Sequence, residues 1–329
     1  MKHALLLIPL LLCGLNRSGA ADAAADALPA FHHLGVVLDY RGLKYNPCDD
    51  VIIPSVIKAY QRFPKPLGRY YLYYAPHNAP GGICVAYSDA LEGPWKEYTG
   101  NPLIQRDWPP HYKVSHVSGP EAIWIEEEHK LFLYYHGENN TTRYASSTDG
   151  VHFTYEGVAV TTQMFDDTTE ASYARVFRHP IAGKDNRYLM LLMGNEKGTR
   201  KIYLAWSKNG RQWETQRQPL FGPQTSTGQL AQAWLFLWQG KQYLVYHDYD
   251  EKGTDLQVSE VDPAFQHVRY IGIFYDRRSV SPDNVAQMSP CIVEEEGKLY
   301  LFTNIGPRLH QKIALAIAEP QRPDTAHRR

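Results

Sequence analysis

Acidic residues stand at the head of three short apolar segments in this chain of 329 residues: Asp49 and Asp50 before "VIIPSV", Glu121 in "GPEAIW" and Glu170 in "TTEASYARVF". A charge is a poor choice for a sheet interior, because it loses its hydration there. It is tolerated where the strand end is wet and the carboxyl has a chemical task. Carboxyls gathered in one cavity can divide acid–base chemistry between them. One protonates the departing oxygen of an acetal, and another activates water or attacks the carbon. The acid must hold its proton near neutral pH, above the usual Glu value of ~4.3, and burial beside a second carboxylate raises it.

Such a cavity needs elements that bring distant residues together, and the chain repeats itself in a way that supplies them. The segment "KLFLYYHG" (130–137) has relatives at "RYYLYYA" (69–75), "RYLMLLMG" (187–194), "KQYLVYHD" (241–248) and "KLYLFTN" (298–304). Aligned, they place Tyr71, Phe132, Leu189, Tyr243 and Tyr300 in register, a repeat of roughly 55–60 residues. Each copy follows a short apolar strand and precedes a third, and several show a fourth. Four short antiparallel strands repeated without an amphipathic helical period predict an all-β fold, a five-bladed β-propeller with four-stranded blades. It forms one domain over about residues 30–319. The last copy runs out after three strands, so "HHLGVVLDY" (32–40) is expected to pair as its missing outer strand and close the ring. The polar tail 320–329 is expected to be disordered.

In a propeller the first strand of each blade lines the axis, and the starts of these strands converge on one funnel. Glu121 then has counterparts in Asp49 and Asp50 on blade one, Glu170 on blade three, Gln229 and Gln232 on blade four and Ser289 on blade five.

The formal charge of −1 gives no general pull toward nucleic acid or anionic membrane. Lys2 and His3, the apolar run 4–12 and a small-residue stretch after it read as a signal peptide over about residues 1–24. The run is too short for a permanent span. The mature protein is therefore expected in the periplasm or outside the cell, with lipid attachment at Cys13 the lesser alternative. Cys48, Cys84 and Cys291 remain, with no metal-type spacing, and are expected as buried thiols with at most one disulfide. No contiguous calcium loop is present, so neither cofactor nor metal is predicted, although a structural Ca²⁺ in the funnel would be compatible with the fold.

With "PSVIKA", "YYLYYA", "AYSDALEGPW", "GPEAIW", "STDGVHF", "EASY" and "SKNGRQW" in this order, the chain resembles the five-bladed propeller glycoside hydrolases: arabinanases, β-xylosidases, α-L-arabinofuranosidases and related fructosidases, with family 43 nearest. The resemblance spans about residues 40–318. It implies an exported enzyme that cleaves glycosidic bonds, with arabinose- or xylose-type glycosides favoured. Carried over, Glu170 takes the acid position and Glu121 tunes its partner. The family base usually stands directly before the Pro-Ser pair, where this chain has Ile53. The base therefore falls to Asp50 or Asp49, of which strand alternation gives Asp49 the parity of Ile53. Without a base the chain would be a non-catalytic carbohydrate-binding propeller. A third reading comes from "STDGVHF" and "SKNGRQW", which resemble sialidase Asp-box hairpins, but only Arg175 could supply the arginines a sialidase needs on its inner strands.

Other residues could bind sugar. Arg175 could hold hydroxyls, or instead a carboxylate. His136 and His247 end second strands, and His116 lies in the loop entering blade two, where it could replace Glu170 as proton donor. Trp108 and Tyr173 offer stacking faces. The acidic runs 126–128 and 294–296 read as solvated hairpin tips.

Overall fold

Runs rich in Tyr, Val, Leu and Ile, cut by Gly, Asn and Asp, favour pleated strands with tight turns, and they build five four-stranded antiparallel sheets. The computed structural model describes residues 28–250 and 253–319. The signal peptide, Cys13 and the tail 320–329 lie outside the described residues. Blade one comprises Ile52–Lys58, Tyr70–Ala75, Cys84–Ser88 and Lys96–Glu97. Blade two comprises Ser118–Ile125, Lys130–His136, Thr141–Ser147 and Thr154–Thr161. Blade three runs from Ser172–Arg178 through Tyr188–Glu196 and Thr199–Ser207 to Glu214–Thr215. Blade four holds Gln229–Trp238, Lys241–Asp250, Gly253–Val261 and Val268–Tyr275. Blade five holds Gln287–Glu295, Lys298–Ile305 and Lys312–Ala318, and its fourth strand is His32–Leu38 from the other end of the chain. The ring closes as the sequence predicts, and no blade edge at this seam is left to pair with another molecule.

The core is not central. Each of five apolar clusters lies between two adjacent blades. Phe132, Tyr134 and Tyr144 of blade two, for example, share a cluster with Met190, Leu192 and Tyr203 of blade three. Two hairpins add struts. Ser147 and Asp149 cap the turn at Gly150, and Ser207 and Asn209 cap the one at Gly210. Both glycines have positive φ, which these tight turns require. The Gly150 carbonyl accepts a hydrogen bond from Tyr73 of blade one, and Gly210 accepts one from Tyr134 of blade two. The Asp-box-like motifs are therefore joints between blades.

The acidic hairpin tips divide. Glu294 and Glu296 are exposed, as the sequence suggests, but the other four carboxylates find a cation or phenol of the adjacent blade. Glu126 pairs with Arg62, Glu127 with Arg187 and Tyr188, and Glu128 with Arg211. Glu295 is buried and takes Lys58, Tyr60 and Tyr70 of blade one across the closing seam. Burial alone would raise its pKa, but these three partners together hold it below the ordinary value. A depressed folded pKa contributes stability above the unfolded value of ~4.3, and that contribution is lost as pH falls through the folded value. Glu295→Gln should therefore cost about 2 kcal/mol at pH 7, and the cost should shrink progressively as pH falls below ~4.3, as read from urea unfolding at a series of pH values.

Candidate functional site

Every first strand carries a β-bulge at the same place. The pairing register slips between Ile52 and Ser55, Ser118 and Glu121, Ser172 and Arg175, Ala231 and Trp234, and Met288 and Cys291. The second residue of each slip has positive φ: Ile53, Gly119, Tyr173, Gln232 and Ser289. For a β-branched residue such as Ile53, a φ of +60° is strained. At Gly119 no side chain would fit, because a Cβ would stand 2.6 Å from the His136 ring.

Counting from the bulge sorts the axis into three levels. Three residues before it come Asp50, His116, Glu170, Gln229 and Ala286, at the mouth. At the bulge itself come the five residues just named. Two residues after it come Ser55, Glu121, Arg175, Trp234 and Cys291. Ser55, Glu121, Arg175 and Cys291 are buried, and the Arg175 guanidinium lies against the partly buried Trp234 ring. The match read from sequence between Glu121 and Glu170 is thus corrected. Glu170 is level with Asp50, whereas Glu121 is level with Arg175, because the extra bulge residue changes the count.

The deepest level is a closed plug. Arg175 is 0% exposed and donates to Glu121 at 2.8 Å and to the Pro54 carbonyl at 3.0 Å. Burial pushes the Glu121 carboxyl above its ordinary value, with Arg175 and Ser55 opposing. Neither Arg175 nor Glu121 lines the cavity above. The expected roles of Arg175 in sugar binding and of Glu121 beside Glu170 are corrected accordingly, and a sialidase would have lost its one inner-strand arginine to an internal ion pair.

Above the plug is a cavity of about 400 Å³, lined among others by Ile53, His77, Tyr173, Gln232, His247 and Arg308, within the ~300–1,000 Å³ usual for small-ligand pockets. Gln232 is 1% exposed and borders the cavity, yet neither its amide nitrogen nor its amide oxygen has a hydrogen-bond partner. Arg200 enters from the third strand of blade three and grips Glu170 with both oxygens engaged, at 3.1 and 3.2 Å. Asp50 is buried next to two lining residues, His77 and Gln311, and its Oδ1 accepts the Gln311 N–H at 2.7 Å. Burial raises its pKa, with the Gln311 amide opposing. Asp49 instead points outward, exposed and bonded to Asn46. Of the two blade-one candidates only Asp50 is buried, and parity misjudged the pair because Asp49 itself takes a positive φ. Asp50 and Glu170 are not themselves lining residues; each stands directly behind one, Gln311 and Arg200 respectively.

Three bulge amides are held by the second strand of the preceding blade around the ring. Asn304 accepts from Ile53 N–H, His136 Nδ1 from Tyr173 N–H and His247 Nδ1 from Ser289 N–H, at 3.3–3.5 Å. Accepting at Nδ1 leaves the proton on Nε2, so both imidazoles are neutral donors there. Burial lowers the His247 pKa to about 3 and that of His136 well below its ordinary value. His247 still borders the cavity. His136 lies under the Tyr173 ring, with centroids 4.3 Å apart, and is an interblade clamp instead of a sugar ligand. His116 stands behind it, its ring 5.7 Å from that of His136 and outside the cavity lining. Trp108 also misses the cavity. It sits in the ribbon of Asp107–Trp108 and Tyr112–Lys113, packed on Tyr112, His111 and Tyr155. Tyr173 does border the cavity, and burial raises its phenol to about 12.

Among the described residues, no group of three or more His, Cys, Asp or Glu is arranged to hold a metal ion, and Cys48, Cys84 and Cys291 are free thiols. His77, Arg200, Asn304, Arg308 and Gln311 escaped the sequence reading because they come from second and third strands or loops. Asn304 alone had a signal, since "LFTN" aligns it with His136 and His247.

No protein-family model and no curated protein matches the chain. Solved structures do. A complex of BT0996 with RGII is 11% identical over 93% of this chain and 96% of its own, with a TM-score of 0.67. The α-L-arabinofuranosidase PaAbf62A from Podospora anserina, in complex with cellotriose, is 10% identical over 88% of this chain and 96% of its own, with a TM-score of 0.63. A thermostable family-43 glycoside hydrolase is 19% identical over 62% of this chain and 69% of its own, with a TM-score of 0.51. The protein thus shares the five-bladed fold of structures that include glycoside hydrolases.

Proposed function

We propose that the protein is an exported glycoside hydrolase, secreted or periplasmic, that cleaves poly- or oligosaccharides in the funnel, with arabinose- or xylose-type glycosides favoured. The observation that carries this reading is the Gln232 amide. A buried donor and acceptor with no internal partner are costly, and adjacent sugar hydroxyls satisfy both at once. Tyr173 beside it offers an aromatic face. Asp50 and Glu170, at one level on blades one and three, are the acid–base pair. Burial suits Asp50 to hold the proton that the leaving oxygen needs, a role the resemblance had given to Glu170. Glu170, oriented by Arg200, is then the partner carboxylate.

A second reading has its own support. None of the five bulge positions carries a carboxylate, and Ile53 stands where the resembling enzymes place their base. On that reading the funnel binds sugar and does not cleave it. The two separate when purified protein is incubated with arabino- and xylo-oligosaccharides and with aryl glycosides. Released reducing ends support the hydrolase, and saturable binding without release supports the binding module.

A further inference from the structure

The cavity wall has an uneven charge. Among its described lining residues are two arginines and two histidines, and no aspartate or glutamate. Arg200 is offset by Glu170, and His247 is held neutral. Burial likewise lowers His77. Asp50, whose field reaches Arg308, is itself pushed toward its protonated form by burial. Arg308 is left over. It is exposed on the loop between the second and third strands of blade five, and no described residue forms an ion pair or hydrogen bond with it.

Its position is as informative as its charge. Arg308, Tyr249 and Met288 line both the funnel and a second cavity of about 490 Å³ beside it, on the rim of blades four and five. The two other arginines of that second cavity are already matched, Arg277 by Asp255 and Arg278 by Asp276. Asp283, the only carboxylate among its described lining residues, makes no ion pair with Arg308. A saccharide too long for the funnel would continue across this junction, and the residue it meets there is an unmatched guanidinium. Guanidinium forks favour oxyanions that offer two oxygens side by side, planar or tetrahedral.

We infer that the ligand is an acidic saccharide, with the anionic group of one sugar unit placed on Arg308 where the funnel opens into the rim cavity. The inference rests on the funnel being a saccharide site. The anion is the carboxylate of a uronic acid or a sulfate ester, since both present oxyanions to the fork.

The test is calorimetric binding by the full mature chain to three probes: a tri-galacturonate, its carboxyl-reduced neutral counterpart, and a sulfated neutral trisaccharide. Wild-type protein should bind at least one acidic probe ten-fold or more tighter than the neutral one, and that preference should shrink on raising salt from 50 to 500 mM. Arg308→Gln should reduce the acidic probe to the affinity of the neutral one, with an unchanged melting temperature because the side chain is exposed. The galacturonate and sulfate arms identify which oxyanion is meant. Equal binding of charged and neutral probes, or a preference that survives Arg308→Gln, overturns the inference. Cleavage of neutral probes without charge preference would sink it and leave the hydrolase reading standing. Arg308-dependent binding without cleavage would do the reverse.

Discussion

An Arg175→Leu variant should be about 3–5 kcal/mol less stable than the wild type, a large part of the ~5–15 kcal/mol that holds an ordinary domain together. The reason is the company Arg175 keeps. Its guanidinium and the Glu121 carboxylate are both fully enclosed on the propeller axis, 2.8 Å apart. Each charge is tolerable only because the other is there, and removing one leaves an uncompensated ion with no route to water. Glu121→Leu should cost a similar amount. The double variant should recover much of the loss, because an apolar pair of similar volume needs no desolvation. Urea unfolding of the two single variants and the double one measures this coupling. Additive losses, or single variants that cost under ~1 kcal/mol, would mean that the plug does not work as a pair.

Asp50→Asn should lower kcat for glycoside cleavage by ~10²–10⁴, the usual worth of a positioned general acid. The amide keeps the shape and can still accept the Gln311 N–H, so folding should be preserved. The pH profile separates chemistry from damage. A carboxyl whose pKa is raised by burial is active while protonated and fails as pH rises through that value. Wild-type kcat should therefore fall on the alkaline side, and the variant's residual activity should lose that limb. An Asp50→Asn enzyme with full activity, or with an unchanged alkaline limb, would remove Asp50 from the mechanism. Glu170→Gln serves as the matched control on the opposite carboxylate.

The fold was written in the chain at the level of period and order. Tyr71, Phe132, Leu189, Tyr243 and Tyr300 do occupy equivalent places, each two residues before the partner of a plug-level residue. Period-two alternation and repeat spacing are local signals that survive folding. The site was less legible, for reasons that particular residues make clear. A bulge adds one residue and reverses parity, and an isoleucine at φ +60° gives no hint in its letter. Strand starts alone therefore group Glu121 with Glu170, whereas it pairs with Arg175. The choice between Asp49 and Asp50 turned on the same local geometry. Arg200, Arg308 and Gln311 reach the funnel from elements that a search of first strands never visits. Glu295 was read as a solvated tip because its partners, Lys58, Tyr60 and Tyr70, lie more than two hundred residues away in sequence.

Where a sugar sits decides the rest. A crystal structure of the Glu170→Gln variant soaked with an uncleaved oligosaccharide should show a sugar ring in the funnel. Its hydroxyls should bond both polar atoms of the Gln232 amide, and its glycosidic oxygen should lie between Asp50 and residue 170. A saccharide bound on another surface, with the Gln232 amide untouched, would contradict the account.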